Sequence, residues 1–212
     1  MQQPTPIDDQ PISATFFGEG RWLTSFVTPD ALEVMELHRE ITKDIDDLGD
    51  RLTALWCWVA DSVKYTKFVR GKMWLGGKVS TQDDLWVTPS VTSRIMVGNC
   101  ATKSFLLTSL IRNELPAERV HCVLGNLYNC KAGGHCWTQV ELGGQDYVME
   151  STRSDVSPLV LASAADRYEA VHLFNDRKVY SIEGRTVMTP MTICYSEWLK
   201  DYLDWAYIEG RK

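Results

Sequence analysis

Two adjacent glycines, Gly143 and Gly144, stand between two candidate strands, Cys136–Leu142 and Tyr147–Glu150. A Gly-Gly pair between strand segments is a strong hairpin signal, because the tight turn that joins two antiparallel strands needs residues at positive φ. A two-residue turn also determines which residues face each other across the hairpin. The sequence therefore predicts an antiparallel hairpin with a defined register, whereas a three-residue turn would move Glu150 to the opposite face.

Three segments before this hairpin predict helices. Thr28-Pro29-Asp30 is typical of a helix start, with a hydroxyl N-cap, a proline at the first helical position and an acid in the first turn. The helix that follows has an apolar stripe made of Val34, Leu37, Ile41 and Ile45. A second helix, from about Asp50 to Val63, has a stripe made of Leu52, Leu55, Trp56, Val59 and Val63. A third begins near Cys100 and runs to about Glu114, where Leu115-Pro116 ends it. Both stripes indicate core packing.

The remaining chain predicts one long loop and several strands. Residues 70–99 are rich in Gly, Ser, Thr and Asp, which favours a loop, and loops this long are often functional. Further strands are predicted at Val120–Leu124, Tyr168–Phe174 and Lys178–Ile182. Helices followed by antiparallel strands indicate an α+β domain. We expect an N-terminal arm with one or two short strands over 1–27, the domain over 28–195 and a C-terminal amphipathic helix over 196–212.

Composition excludes several classes of function. The 212 residues carry a formal net charge of -6 and contain no run of Lys or Arg, so neither nucleic acid nor an anionic membrane is the expected partner. The N-terminus has no signal-peptide pattern, and the longest apolar run, 54–60, is too short to span a membrane. We therefore expect a cytoplasmic protein whose cysteines are reduced thiols. These are Cys57, Cys100, Cys122, Cys130, Cys136 and Cys194.

Cys100 follows Gly98-Asn99, a pair that allows a tight turn, and it opens the third predicted helix. The N-terminus of a helix offers free backbone N–H groups and the positive end of the helix dipole, which stabilise a thiolate. The same N–H groups can donate to an oxyanion. A buried cysteine that only packs a helix terminus would occupy the same place, so placement alone leaves both interpretations open.

His135 and Glu150 favour the catalytic interpretation of Cys100. With a two-residue turn, Trp137 pairs with Glu150, and the alternation of side chains then puts His135 on the same face as both. Glu150 lies diagonal to His135, within reach of long side chains, and a carboxylate there can orient an imidazole. Asp146 shares the face but lies roughly 20 Å from His135 at ~3.3 Å per residue, so Glu150 is the predicted third member.

These segments resemble the transglutaminase-like superfamily, particularly its bacterial and phage members. The sequence GNCATKSFLLTSLIR at 98–112 resembles the nucleophile segment of that family, GHCWTQVEL at 134–142 its histidine strand and YVMEST at 147–152 its acid strand. Upstream, LWCWVADSVKY at 55–65 and DLWVTPSVT at 84–92 resemble the approach to the cysteine. The resemblance covers residues 50–155. Two departures are Glu150, where aspartate is usual, and Cys136, where a small residue is common.

The resemblance implies a papain-like core, with the nucleophile helix packed on an antiparallel sheet, in a catalytic domain over 28–195. It further implies that Cys100 attacks a peptide or carboxamide carbonyl, that His135 acts as general base and then acid, and that Glu150 holds the imidazole. The substrate would be a protein or peptide, and no cofactor would be needed. Trp86 would contribute to the oxyanion site or the acyl groove, although core packing is the role we favour for it.

Two other classes of protein remain open. His121, Cys122, Cys130, His135 and Cys136 are close in sequence, but they lack the spacing of a zinc site, and adjacent residues on a strand face opposite ways. A non-catalytic scaffold or interaction protein, for example one associated with a phage, would keep the fold without the chemistry. Within active chemistry we expect hydrolysis by a protease or amidase rather than cross-linking, because cross-linking must admit an amine and exclude water.

Overall fold

The structure, a computed structural model, describes residues 3–7, 11–12, 21–66, 71–75, 78–82, 85–128, 132–186 and 194–195. The helices are α1 (Leu32–Thr42), α2 (Leu48–Ser62), α3 (Pro89–Ile95) and α4 (Cys100–Ile111). The strands before α4 are β1 (Thr5–Ile7), β2 (Pro11–Ile12), β3 (Arg21–Trp22), β4 (Lys64–Tyr65), β5 (Gly71–Leu75), β6 (Lys78–Gln82), β7 (Leu85–Trp86) and β8 (Val97–Gly98). Those after it are β9 (Val120–Tyr128), β10 (Ala132–Leu142), β11 (Gln145–Met149), β12 (Val160–Leu161), β13 (Tyr168–Phe174), β14 (Val179–Ser181) and β15 (Cys194–Tyr195).

The main sheet contains seven strands in the order β1-β14-β13-β9-β10-β11-β12. Every neighbouring pair in this sheet is antiparallel. Helices precede the sheet along most of the chain, which is the arrangement that the sequence predicts. The α+β fold class, with the Cys100 helix packed on an antiparallel sheet, is confirmed.

Helix α4 lies between the sheet and the other helices, and all of its residues are buried. Leu106, Leu107, Leu110 and Ile111 belong to a core cluster that also contains the apolar stripe of α2. Ala101 and Phe105 belong to a second cluster, with Cys122 and Cys136 of the sheet. A helix without a distinct polar face is expected to be enclosed in this way. The enclosure holds the first residue of α4 at a defined place above the sheet.

The β10–β11 hairpin has the predicted register. Leu142 pairs with Gln145, and Thr138 pairs with Met149. Gly143 and Gly144 have φ values of 61° and 78°, which are left-handed conformations that glycine adopts without a steric penalty. The two-residue turn is therefore confirmed, and Glu150 follows directly after the last paired residue.

The predicted start of the first helix is too early. α1 begins at Leu32, because Thr28 forms a separate turn in which its carbonyl accepts from the N–H of Ala31 at 3.2 Å. The backbone N–H of Thr28 donates instead to Oγ of Ser109, at 3.0 Å. Of the predicted stripe, three residues pack on the core, whereas Ile45 lies beyond the end of the helix.

The prediction of a loop over 70–99 is wrong. β5 and β6 pair with each other in antiparallel fashion, from Gly71 with Gln82 to Leu75 with Lys78. α3 begins at Pro89 with Thr88 as its N-cap. This threonine–proline pair starts a helix, whereas the similar pair at Thr28-Pro29 does not. The polar composition of this segment favours a loop, but two local patterns in it favour a hairpin and a helix. They are the pairs Gly76-Gly77 and Thr88-Pro89.

Parts of the predicted ends lie outside the described residues, including the whole C-terminal helix over 196–212. Within the arm, Thr5–Ile7 forms β1 at the edge of the main sheet, paired with β14. The domain boundaries at 27 and 195 stay a prediction. None of the helices in the described ranges is both long and apolar enough to cross a membrane.

Candidate active site

Cys100 is the first residue of α4, and a capping box fixes the turn before it. Oδ1 of Asn99 accepts from the backbone N–H of Thr102 at 3.0 Å, and Oγ1 of Thr102 accepts from the backbone N–H of Asn99 at 3.0 Å. A Cβ at position 98 would lie 2.6 Å from Oγ1 of Thr102, so only glycine fits there. Helix geometry leaves the N–H groups of Cys100 and Ala101 without intrahelical acceptors. These two groups are therefore available to an oxyanion beside the thiol.

The structure brings Cys100, His135 and Glu150 together, with a hydrogen bond between the last two. Nε2 of His135 lies 2.7 Å from Oε2 of Glu150. Cys100 lies close enough to His135 that its side chain raises the pKa of the imidazole, and Nδ1 is the ring nitrogen that Glu150 does not contact. All three residues are buried, with exposed fractions of 9%, 9% and 5%. Asp146, the other acid considered as a partner for His135, pairs with Glu141 near the hairpin turn, far from the His135–Glu150 pair.

The carboxylate of Glu150 has further donors. Oε1 accepts from the backbone N–H and from Oγ1 of Thr152, at 2.8 and 2.7 Å. Oε2 accepts from the hydroxyl of Tyr168, at 2.9 Å, as well as from His135. The indole N–H of Trp56 donates to the backbone carbonyl of Glu150, at 2.8 Å, which ties this residue to α2. A glutamate with this many partners has a single orientation.

The electrostatics favour a charged imidazolium–carboxylate pair. Burial works against a proton on His135, but the hydrogen bonds and charges of Cys100 and Glu150 outweigh it and raise the pKa of His135 to about 10. Burial likewise works against ionisation of Glu150, yet the hydrogen bond and charge of His135, with the two bonds from Thr152, lower its pKa to about 2. At neutral pH the imidazole is protonated and the carboxylate is ionised.

Aromatic rings hold the imidazole from the sides. The ring of Trp137 stacks near that of His135, with centroids 6.3 Å apart and an interplanar angle of 23°. The ring of Tyr168 lies 6.2 Å from His135 and meets Trp137 edge to face at 5.1 Å. Gly125, which pairs with His135 across β9 and β10, makes room for this arrangement: a Cβ there would lie 2.5 Å from the ring of Trp137.

Lys103 lies one turn after Cys100 and has no exposed surface. Its Nζ donates to the carbonyls of Ala60 and Val63, at 3.0 and 2.5 Å, which are at the end of α2. Burial lowers the pKa of Lys103 to about 8, against the opposing charges of Glu150 and Asp61. The hydrogen bonds of Lys103 therefore connect the first turn of α4 to the end of α2.

Trp86 is fully buried and packs edge to face on Phe26 and Phe105, in the same apolar cluster as Cys100. Core packing is therefore its observed environment. Its indole N–H has no hydrogen-bond partner among the described residues. The oxyanion role that the sequence analysis left open for Trp86 stays a prediction.

Two other cysteines, Cys122 and Cys136, lie in the same core cluster as Cys100. Cys57, Cys100, Cys122 and Cys136 are free thiols, and the Sγ atoms of Cys122 and Cys136 are 3.3 Å apart in the core. Cys130 and the side chain of Cys194 lie outside the described residues. Within the part of the chain that the structure describes, no group of three or more His, Cys, Asp or Glu is arranged to hold a metal ion.

Sequence reasoning did not identify Tyr168, Thr152 or Lys103 as neighbours of this site. Thr152 lies in the segment that carries the resemblance, two positions after the acid, but its hydroxyl bond to Glu150 requires coordinates. Lys103 had a signal, because it is a lone charge in an otherwise uncharged helix. Tyr168 had none, since its partner Glu150 is 18 residues away along the chain and the two side chains meet only in the folded protein.

Comparison with solved structures finds weak similarities of fold. A candidate cysteine protease from Cytophaga hutchinsonii has a TM-score of 0.46 and 15% identity, over 79% of this chain and 55% of that protein. Legionella pneumophila LapG has a TM-score of 0.42 and 15% identity, over 71% and 88% of the two chains. Its calcium-bound form has a TM-score of 0.43 and 15% identity, over 73% and 91%.

The chain spans little more than half the length of the Cytophaga protein that it matches. No family model matches the sequence, and no curated protein matches it. The grouping of Cys100, His135 and Glu150 therefore rests on their geometry in this chain alone.

Proposed function

We propose that this protein is a cysteine-dependent acyl-transfer enzyme that acts on peptide or carboxamide bonds, with Cys100 as nucleophile. The single observation that supports the proposal is the buried His135–Glu150 hydrogen bond beside Cys100, which is the first residue of a helix. A cysteine in this position has a base, an orienting acid and nearby N–H donors, which are the parts that thiol catalysis needs.

In the proposed reaction, the thiolate of Cys100 attacks the carbonyl carbon of the substrate, and the C=O π electrons move to the oxygen. The N–H groups at the start of α4 stabilise that oxyanion. The imidazolium of His135 gives its proton to the leaving amine as the C–N bond breaks, which leaves an acyl thioester on Cys100. A water molecule, deprotonated by His135, then attacks the thioester, and the acid is released with the thiol restored.

Glu150 supports both halves of this reaction without exchanging a proton. Its carboxylate is held by Thr152 and Tyr168, and it accepts from the ring nitrogen of His135 that does not face the thiol. An ionised acid in this place stabilises the imidazolium and keeps it oriented. Because the acting group is a reduced thiol, the proposal keeps the expected reducing, cytoplasmic compartment.

The first test is alkylation by iodoacetamide at mildly acidic and neutral pH, with the labelled cysteine identified by peptide mass spectrometry. We expect Cys100 to react ahead of the other cysteines and to lose this lead in His135→Ala and Glu150→Gln. Burial, with Asp61 adding to it, raises the pKa of Cys57, so this half-buried thiol is a slow internal reference.

His38→Ala is the matched control for His135→Ala. His38 also contacts a carboxylate, since its Nε2 lies 2.6 Å from Oε1 of Glu114, but this pair is at the opposite end of α4. The control should leave the lead of Cys100 unchanged. If Cys100 reacts no faster than its neighbours, or is indifferent to His135, the protein is instead a non-catalytic scaffold.

Substrate turnover then separates hydrolysis, which we favour, from cross-linking. A peptide or glutamine-carboxamide library is incubated with and without a primary amine, and the released amine and any new amide are followed by mass spectrometry. Hydrolysis predicts free acid products whose yield does not depend on the added amine. Trp86→Phe keeps the aromatic packing and removes the indole N–H, so a fall in turnover rate with unchanged stability would assign Trp86 to the oxyanion site.

A further inference from the structure

The hydroxyl of Tyr168 and the imidazole of His135 contact the same carboxylate oxygen, Oε2 of Glu150, at 2.9 and 2.7 Å. Among the described residues, the other oxygen, Oε1, accepts hydrogen bonds only from Thr152. Thr152 is only two residues from Glu150 along the chain, so Thr152 can move together with Glu150. Tyr168 is on β13. Within the described part of the chain, Tyr168 and His135 are the two residues distant in sequence whose side chains hydrogen-bond to this carboxylate.

A glutamate needs such a hydrogen bond more than an aspartate does. Its side chain has one additional rotatable bond, and each freely rotating bond lets the carboxylate leave the geometry that serves the imidazole. The bond from Tyr168 is charge-assisted, which makes it stronger than a bond between neutral groups. The tyrosine ring is itself fixed, because it meets Trp137 edge to face at 5.1 Å and its backbone N–H donates to the carbonyl of Ala165 at 3.0 Å.

We infer that Tyr168 is a positioning residue of the site: its hydroxyl holds the Glu150 carboxylate in the orientation in which it pairs with His135. This inference rests on the proposed function, because it assigns Tyr168 to the same thiol chemistry. Tyr168 acts through Glu150 and exchanges no proton in the reaction.

Several charged or titratable groups surround the carboxylate, and each affects how it responds to pH. These are Lys103 on α4, His135 on β10, Tyr168 on β13 and Arg153 after β11. Cys100 acts on His135, and the positive charge of Arg167 acts on Tyr168. Burial and the negative charge of Glu150 raise the pKa of Tyr168, so its hydroxyl remains a donor throughout the pH range of an assay. Among these groups Tyr168 can be changed to phenylalanine without altering the net charge, which isolates the hydrogen bond.

The experiment measures the rate of Cys100 alkylation by iodoacetamide as a function of pH in wild type, Tyr168→Phe and Tyr147→Phe. Without the Tyr168 hydroxyl the Glu150 carboxylate leaves the orientation in which it pairs with His135 and stabilises the imidazolium less, so the acidic midpoint of the Tyr168→Phe profile should rise. We expect a shift of about one pH unit, which is the size that a hydrogen bond to a charged group implies. Tyr147 lies on β11, and its hydroxyl donates to Oε1 of Gln145 at 3.2 Å, so its variant should keep the wild-type midpoint.

A folded Tyr168→Phe protein with the wild-type midpoint would overturn the inference, and so would an equal shift in Tyr147→Phe. If Tyr168→Phe does not fold, a fluorinated tyrosine at position 168, a stronger donor, replaces it. The midpoint should then move to lower pH, and an unchanged midpoint would again overturn the inference. A wild-type protein without His135-dependent labelling refutes the proposed function itself, which is a different result.

Discussion

The pairing of His135 with Glu150 should be visible as a pH-dependent contribution to stability. The perturbation is Glu150→Gln, made in a Cys100→Ala background so that thiol ionisation does not add to the proton balance. His135 has a folded pKa raised from 6.5 to about 10, so its contribution is full below pH 6.5 and is lost as the pH rises through the folded value. Because the Cys100 side chain contributes to the raised pKa of His135, its removal brings the upper end of this window below 10. Glu150 has a folded pKa lowered from 4.5 to about 2, so its contribution is lost only on acidification below pH 4.5.

The magnitude follows from one proton. Between pH 6.5 and 8 the folded Cys100→Ala protein binds one proton more than its unfolded chain, so its free energy of unfolding falls by about 1.4 kcal/mol per pH unit from this source. Glu150→Gln removes that proton. Breaking a buried pair costs about 3 kcal/mol, so we expect a difference of this size at pH 6 that shrinks by about 2 kcal/mol by pH 8.

The assay is urea denaturation at several pH values between 6 and 8, followed by tryptophan fluorescence. Asp176→Asn in the same background is the control, because it breaks a partly buried ion pair, in which Nε of Arg112 lies 2.6 Å from Oδ1 of Asp176. Carboxylates and guanidinium groups ordinarily stay charged over this range, so the effect of the control should not vary with pH. A Glu150→Gln effect that is equally constant would refute the assignment of a protonated His135.

Three further predictions test the surroundings of the site. Gly125→Ala should destabilise the fold by about 3 kcal/mol in urea denaturation, because its Cβ would meet backbone and an indole ring, whereas Gly133→Ala has open space and should not. Asn99→Ala should cost about 1 kcal/mol and slow labelling of the site cysteine, while Asp47→Ala, which removes the N-cap of α2, should cost as much without slowing it. Lys103→Met should lower the free energy of unfolding by about 2 kcal/mol at pH 7, since two carbonyls lose their donor. Because the folded pKa of this lysine is lowered from 10.5 to about 8, the wild type gains stability relative to the variant as the pH rises from 8 to 10.5.

Local signals in the sequence were enough for the elements that carry the site. The Gly143-Gly144 pair predicts the turn, and the turn determines the register that brings Glu150 near His135. The Gly98-Asn99 pair likewise predicts that Cys100 opens a helix. In each case the deciding interactions lie within a few residues of the signal, so a local pattern contains the information.

The prediction of a loop over 70–99 was wrong because it rested on the polar composition of the segment and not on its local patterns. A polar segment can still form a hairpin or a short helix when turn residues and an N-cap are present, as they are around β5, β6 and α3. The start of α1 was misplaced for a different reason. There the backbone of Thr28 is bonded to Ser109 on α4, a residue that no local pattern identifies.

The sequence by itself determined the α+β class, the hairpin register and the three residues that the proposed chemistry needs. Only the tertiary structure decided how these residues are held. The hydroxyl of Tyr168 on β13 donates to the Glu150 carboxylate, and Nζ of Lys103 donates to two carbonyls at the end of α2. The physical reason is that hydrogen bonds between distant strands and helices depend on packing in three dimensions, which spacing along the chain does not encode.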